Sequence, residues 1–112
     1  MINEELLNRV REALVDLPDV GEKRMFGGIC FMVDDKLCIC VNQHEALFRI
    51  NPDDFETTVE MDGVRPMQQQ KRTAKGYLFV HEDALSSKKV FEEWVNKALE
   101  YNKVAKASKK GK

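Results

Sequence analysis

Arg24-Met25-Phe26-Gly27-Gly28-Ile29-Cys30-Phe31-Met32-Val33, followed by Asp34-Asp35 and by Lys36-Leu37-Cys38-Ile39-Cys40-Val41, is the stretch on which the reading of the fold turns. Two adjacent glycines inside an apolar run are costly, because glycine loses the most backbone freedom on folding. They fit where a strand bulges, bends or lets another backbone approach closely. Asp34-Asp35 tolerates a tight turn. Residues 25–33 and 37–42 therefore read as two strands of a hairpin.

Upstream, Leu6, Val10 and Leu14 repeat at helical spacing, and Ile2, Leu7, Ala13 and Leu17 widen the stripe. Asn3 suits the N-cap of this helix and Pro18 its stop. Downstream, residues 42–45 read as a second turn and Ala46–Ile50 as a third strand. Asn51-Pro52-Asp53-Asp54 has the form of an N-cap, a first-position proline and two first-turn acids. It predicts a short helix to about Glu60, with Phe55 and Val59 as its apolar pair. Residues 64–74 are polar and ambiguous, and residues 76–80 form another strand. Ser86 or Ser87 caps a final helix, whose broad apolar face carries Val90, Phe91, Trp94, Val95, Ala98, Leu99 and Tyr101. The order α-β-β-β-α-β-α implies an α+β fold, an antiparallel sheet with an N-terminal helix, a short middle helix and a long C-terminal helix. Residues 1–101 read as one domain and 102–112 as a basic tail.

The chain has 112 residues, of which 33% are charged, and a net charge of −1, so it is not the basic footprint of a nucleic-acid coat protein. The imbalance is local: residues 103–112 hold five lysines and no acid. No signal-peptide pattern opens the chain, and no apolar run has a membrane span's length. Three cysteines, an odd number, fit a reducing compartment better than a disulfide framework, and a cytoplasmic location is expected.

Both faces of the predicted sheet are apolar. Met25, Ile29, Phe31 and Val33 point one way in an unbroken strand, and Phe26, Cys30 and Met32 the other. A sheet with one wet face should alternate apolar and polar residues. Helices on both faces, or a two-fold dimer, would cover the second one.

The run Arg24-Met25-Phe26-Gly27-Gly28, with Val33-Asp34-Asp35-Lys36-Leu37 after it, resembles the N-terminal domain family of TfoX/Sxy proteins. Leu47-Phe48-Arg49-Ile50-Asn51, Phe55, Met67, Lys75-Gly76-Tyr77-Leu78-Phe79-Val80 and Trp94-Val95 match that pattern in order, over about residues 1–101. Gln68-Gln69-Gln70 and Asp35 depart from it, and the chain stops before the second domain of the larger competence regulators. The resemblance implies a fold shared with secretion-chaperone-like and YjbR-like domains, often dimeric. It also implies a role in transcriptional regulation of DNA uptake through a partner activator. It supplies no catalytic residues, so the expectation is a non-enzymatic interaction module without cofactor or metal, a homodimer with an apolar docking surface.

Other constellations are weaker. Cys30, Cys38 and Cys40 lie across the hairpin, where a three-residue loop sets Cys30 opposite Cys40 and a two-residue loop puts them on opposite faces. Their spacing lacks the usual zinc knuckle, and packing is the expected role. His44 and His81, each beside a glutamate, read as strand-end residues rather than general bases. Lys71, Arg72 and Lys75, with Lys103, Lys106, Lys109 and Lys110 of the tail, are the candidate nucleic-acid contacts. Arg24, Arg49 and Arg65 extend that basic surface, with Tyr77 interleaved. Gly27-Gly28 is not a phosphate loop, since no helix N-terminus follows it at the required spacing.

Overall fold

The computed structural model describes residues 2–25, 27–69 and 72–105, with the backbone alone for residues 68, 69 and 72–75. One sheet carries six antiparallel strands: β1 (Val20–Met25), β2 (Gly28–Val33), β3 (Lys36–Val41), β4 (Glu45–Arg49), β5 (Val64–Gln69) and β6 (Arg72–His81). Their order across the sheet is β1-β2-β3-β4-β6-β5. Helix α1 (Glu4–Ala13) precedes the sheet, α2 (Phe55–Thr58) follows a 3-10 turn at Pro52–Asp54, and α3 (Lys88–Asn102) closes the fold.

The predicted caps form. Asn3 Oδ1 accepts from the Leu6 amide at 3.0 Å, and Asn51 Oδ1 from the Asp53 amide at 2.9 Å. Ser87, not Ser86, caps α3 by accepting from the Val90 amide at 3.4 Å. Helix α1 ends at Ala13, well before Pro18, and α2 ends at Thr58 rather than near Glu60.

Two strands were not expected from the sequence. The supposed single strand 25–33 is two, because Met25 pairs with Gly28 across a turn in which Gly27 has φ 75°. The glycine pair thus makes a turn as well as a close approach: a Cβ on Gly28 would run into the Val41 carbonyl of β3. The break shifts Met25 to the face of Cys30 and Met32, away from Ile29, Phe31 and Val33. Strand β5 occupies the ambiguous segment, pairing Val64 with Val80 and Pro66 with Leu78. Beyond Pro66 the register shifts, so that residues 74–77 of β6 stand opposite the single Met67.

The main core lies between one sheet face and the helices. Leu6, Leu7, Val10 and Leu14 join Phe91, Trp94, Val95 and Ala98 over Phe31, Ile39, Val41, Phe48, Leu78 and Val80. The Trp94 and Phe48 rings stand 5.5 Å apart. At the end of α3, buried Asn102 donates to the Val33 carbonyl at 3.3 Å, and Lys36 Nζ donates to the Asn102 carbonyl at 2.7 Å. Ala105 beyond it is also buried. Among the described residues, helices on both faces, one of the two expected arrangements, do not form. Every described helical residue of the two apolar clusters belongs to this first one.

Candidate functional site

The helix-free face is the region whose composition the fold does not explain. Its centre is built by the β2–β3 hairpin. Val33 pairs with Lys36, so the turn has two residues, and Asp34 (φ 54°) and Asp35 (φ 65°) are both left-handed, the form of a type I′ turn. By parity that loop should separate Cys30 and Cys40 onto opposite faces. A β-bulge intervenes: Met32 pairs with Leu37 but Phe31 with Ile39, leaving Cys38 as the extra residue. The bulge restores Cys30 to a place opposite Cys40, and the two are joined as a disulfide.

Cys38 goes with Ile39 into the helix-covered core. Burial pushes its thiol up to about 12, against a smaller opposing pull from Arg49, so it stays protonated at neutral pH. One sequence reading is thereby corrected: Cys30 and Cys40 are bonded to each other rather than merely packed, whereas Cys38 packs in the core as expected.

Around the pair lie Met32, Leu37, Leu47 and Met67, all buried, with half-buried Met25, Tyr77 and Phe79 at the rim. The Met25 carbonyl is 3.8 Å from both sulfurs. Arg65 crosses the Phe79 ring, 4.3 Å from its centroid, and donates to both Glu45 oxygens at 2.7 and 2.8 Å. That fork holds the Glu45 carboxyl below its usual range, chiefly through the hydrogen bond. Arg49 at the end of β4 lies between Tyr77 and Tyr101, 5.5 and 5.6 Å from their ring centroids.

The two histidines, read separately from sequence, meet at the far end of β4 and β6. Their rings stand 6.4 Å apart, His44 Nδ1 is 3.2 Å from Glu82, and His81 Nδ1 accepts from the Asp83 amide at 3.1 Å. Asn3 donates to Glu82 at 2.7 Å, tying this corner to the start of α1. Among the described residues no group of three or more His, Cys, Asp or Glu is placed to hold a metal ion.

Of the sequence candidates, Arg24 lies exposed near the end of β1 and Met25 in the sulfur-rich cluster, while Phe26 is outside the described residues. Lys71, Lys106, Lys109 and Lys110 are also outside the described residues. Arg72 and Lys75 lie in β6, but their side chains are outside the description. Exposed Lys103 stands 4.0 Å from Glu100, one helical turn back. Of the candidate nucleic-acid contacts, Lys103 alone therefore has a described side chain. The most exposed large apolar residues among those described, Val15, Met61 and Val104, each follow a different helix.

Residues 12–101 match the family described as the TfoX N-terminal domain, from the last turn of α1 to the last turn of α3. The chain belongs to that family. The membership takes in the whole six-stranded sheet, including both strands missed in the sequence, and it suggests a regulatory domain of the competence type. No curated protein and no solved structure matches the chain. No described helix is long and apolar enough to cross a membrane.

Proposed function

We propose that this TfoX N-terminal domain is a non-enzymatic regulatory module that acts in transcription control through a protein partner, with the helix-free sheet face as its contact surface. The observation that carries this reading is the family match over residues 12–101. The rim of that face supports it: Met25, Tyr77 and Phe79 with Arg49 and Arg65 have the aromatic, methionine and arginine composition enriched at protein interfaces. A second copy of the chain is one partner such a face can take, and sedimentation velocity tests for it directly.

The discriminating experiment compares cells lacking the chain with cells supplied with wild type or with Tyr77→Glu. Wild type should restore the altered transcripts, and the folded variant should not. Alongside, the whole chain and a form ending at Ala105 are titrated with a labelled DNA duplex across a salt series. No binding by either form is the expected result. Tight, salt-steep binding lost with residues 106–112 would replace this reading with direct nucleic-acid contact through the tail, together with Lys71, Arg72 and Lys75.

A further inference from the structure

We propose that Cys30 and Cys40 form a reversible dithiol–disulfide couple, a redox site at the centre of the helix-free face. The fold sorts its three cysteines. A two-residue turn alone would have set Ile39 opposite Cys30; the bulge at Cys38 is what brings Cys40 there. The third thiol is then sent to the opposite face, buried and protonated, where it cannot interfere by exchange.

The bond is also not what holds the hairpin together. The cysteines are 10 residues apart in a loop already closed by the type I′ turn, with backbone pairing on both sides of them. β2 is further paired with β1, and β3 with β4. A cross-link that closes so short a loop constrains the unfolded chain less than one closing a long loop, and the backbone pairing around it remains when it opens, so it can open without unfolding the sheet.

Both sulfurs are buried, and exchange requires a way in. Their cover on one side is Met25, the last residue of an edge strand whose residues 21–24 are all exposed, next to the turn at Gly27. Strand ends of this kind open locally at low cost. Met25, Met32 and Met67 give the pair an adaptable thioether lining, able to absorb the wider sulfur–sulfur separation of two thiols. Oxidation joins the two sulfurs and releases two protons and two electrons. Glutathione disulfide accepts the electrons and leaves as two thiols, and a dithiol reductant runs the step backwards. The couple stands independently of the partner reading.

The test equilibrates the native whole chain in mixtures of reduced and oxidised glutathione, quenches with acid, alkylates, and maps the label by peptide mass. Cys30 and Cys40 should gain label together in a single two-electron transition, with Cys38 unchanged and the far-UV circular dichroism constant throughout. Cys38→Ala should leave the midpoint in place, and Cys40→Ser should abolish the transition. Two free thiols in fully oxidised glutathione would overturn the proposal, leaving packed cysteines. A bond that opens only in denaturant, or with loss of the circular dichroism signal, would overturn it in favour of a static cross-link.

Discussion

The two faces of the sheet are made by alternate residues of the same strands, yet they are buried by different means. On one, Phe31, Val41, Phe48 and Leu78 lie beneath α1 and α3, and Trp94 is the largest side chain sealed there. On the other, Cys30, Met32, Leu47 and Met67 are buried with no described helix over them, within a cluster whose rim of Met25, Tyr77 and Phe79 stays half-open. The first face is where the fold's free energy concentrates, and the second is where composition is free to serve something else. Truncation separates the two most sharply. Trp94→Ala should cost about 3–5 kcal/mol, since a large buried ring leaves a cavity against Phe48. Tyr77→Ala on the open rim should cost about 1 kcal/mol or less. Urea midpoints for both variants measure this; equal losses would mean that the second face is as sealed as the first.

The glycine pair offers a comparison on a smaller scale, at the boundary between β1 and β2. Gly28 has backbone against it, and the Cβ of Gly28→Ala would have to displace the Val41 carbonyl in the middle of the sheet. The cost should reach the upper end of the ~1–3 kcal/mol seen for overpacking. Gly27 faces open space but is held at φ 75°, so Gly27→Ala meets only conformational strain, about 1 kcal/mol. Thermal melts of the two single variants rank them. A larger loss at Gly27 would show that the turn, not the approach of β3, is the reason for the motif.

What could be read from the sequence follows the same division. The helix-covered face was legible because period and caps agree: Trp94, Val95 and Ala98 fall at helical spacing behind Ser87, and Asn51-Pro52 opens the 3-10 turn that leads into α2. Strand β1 was not, because Gly21-Glu22-Lys23-Arg24 carries the charges of an exposed edge and has the composition of a loop. Pro66 hid β5 for the same reason, as proline is admitted to a sheet at its edge. The candidate site was harder still. Cys38-Ile39-Cys40 alternates equally well in either register, and the bulge that puts both Cys38 and Ile39 under the helices leaves no mark in that pattern. The meeting of His44 with His81 depends on β4 pairing with β6, a contact between distant segments that no local pattern encodes.

Charge gives the smallest and most specific comparison, because on each face a described arginine is forked onto a glutamate. On the helical side Arg11 donates to both Glu22 oxygens at 2.9 Å, linking α1 to the edge strand; on the other Arg65 holds Glu45 from across β6. Both carboxyls lie below their ordinary value, each chiefly through its arginine's hydrogen bond. A carboxyl depressed in the folded state contributes stability that is present above the unfolded value of 4.5 and lost as pH falls through the lower folded value. Glu45→Gln should therefore cost about 0.5–1 kcal/mol at pH 7, modest because the Arg65 side chain is 58% exposed, and the difference from wild type should vanish in acid. Denaturant titrations at pH 7 and at a pH below the carboxylate range measure both ends. If the difference instead persists in acid, Arg65 contributes by lying over Phe79 rather than by its charge, and the rim of the second face is held by packing after all.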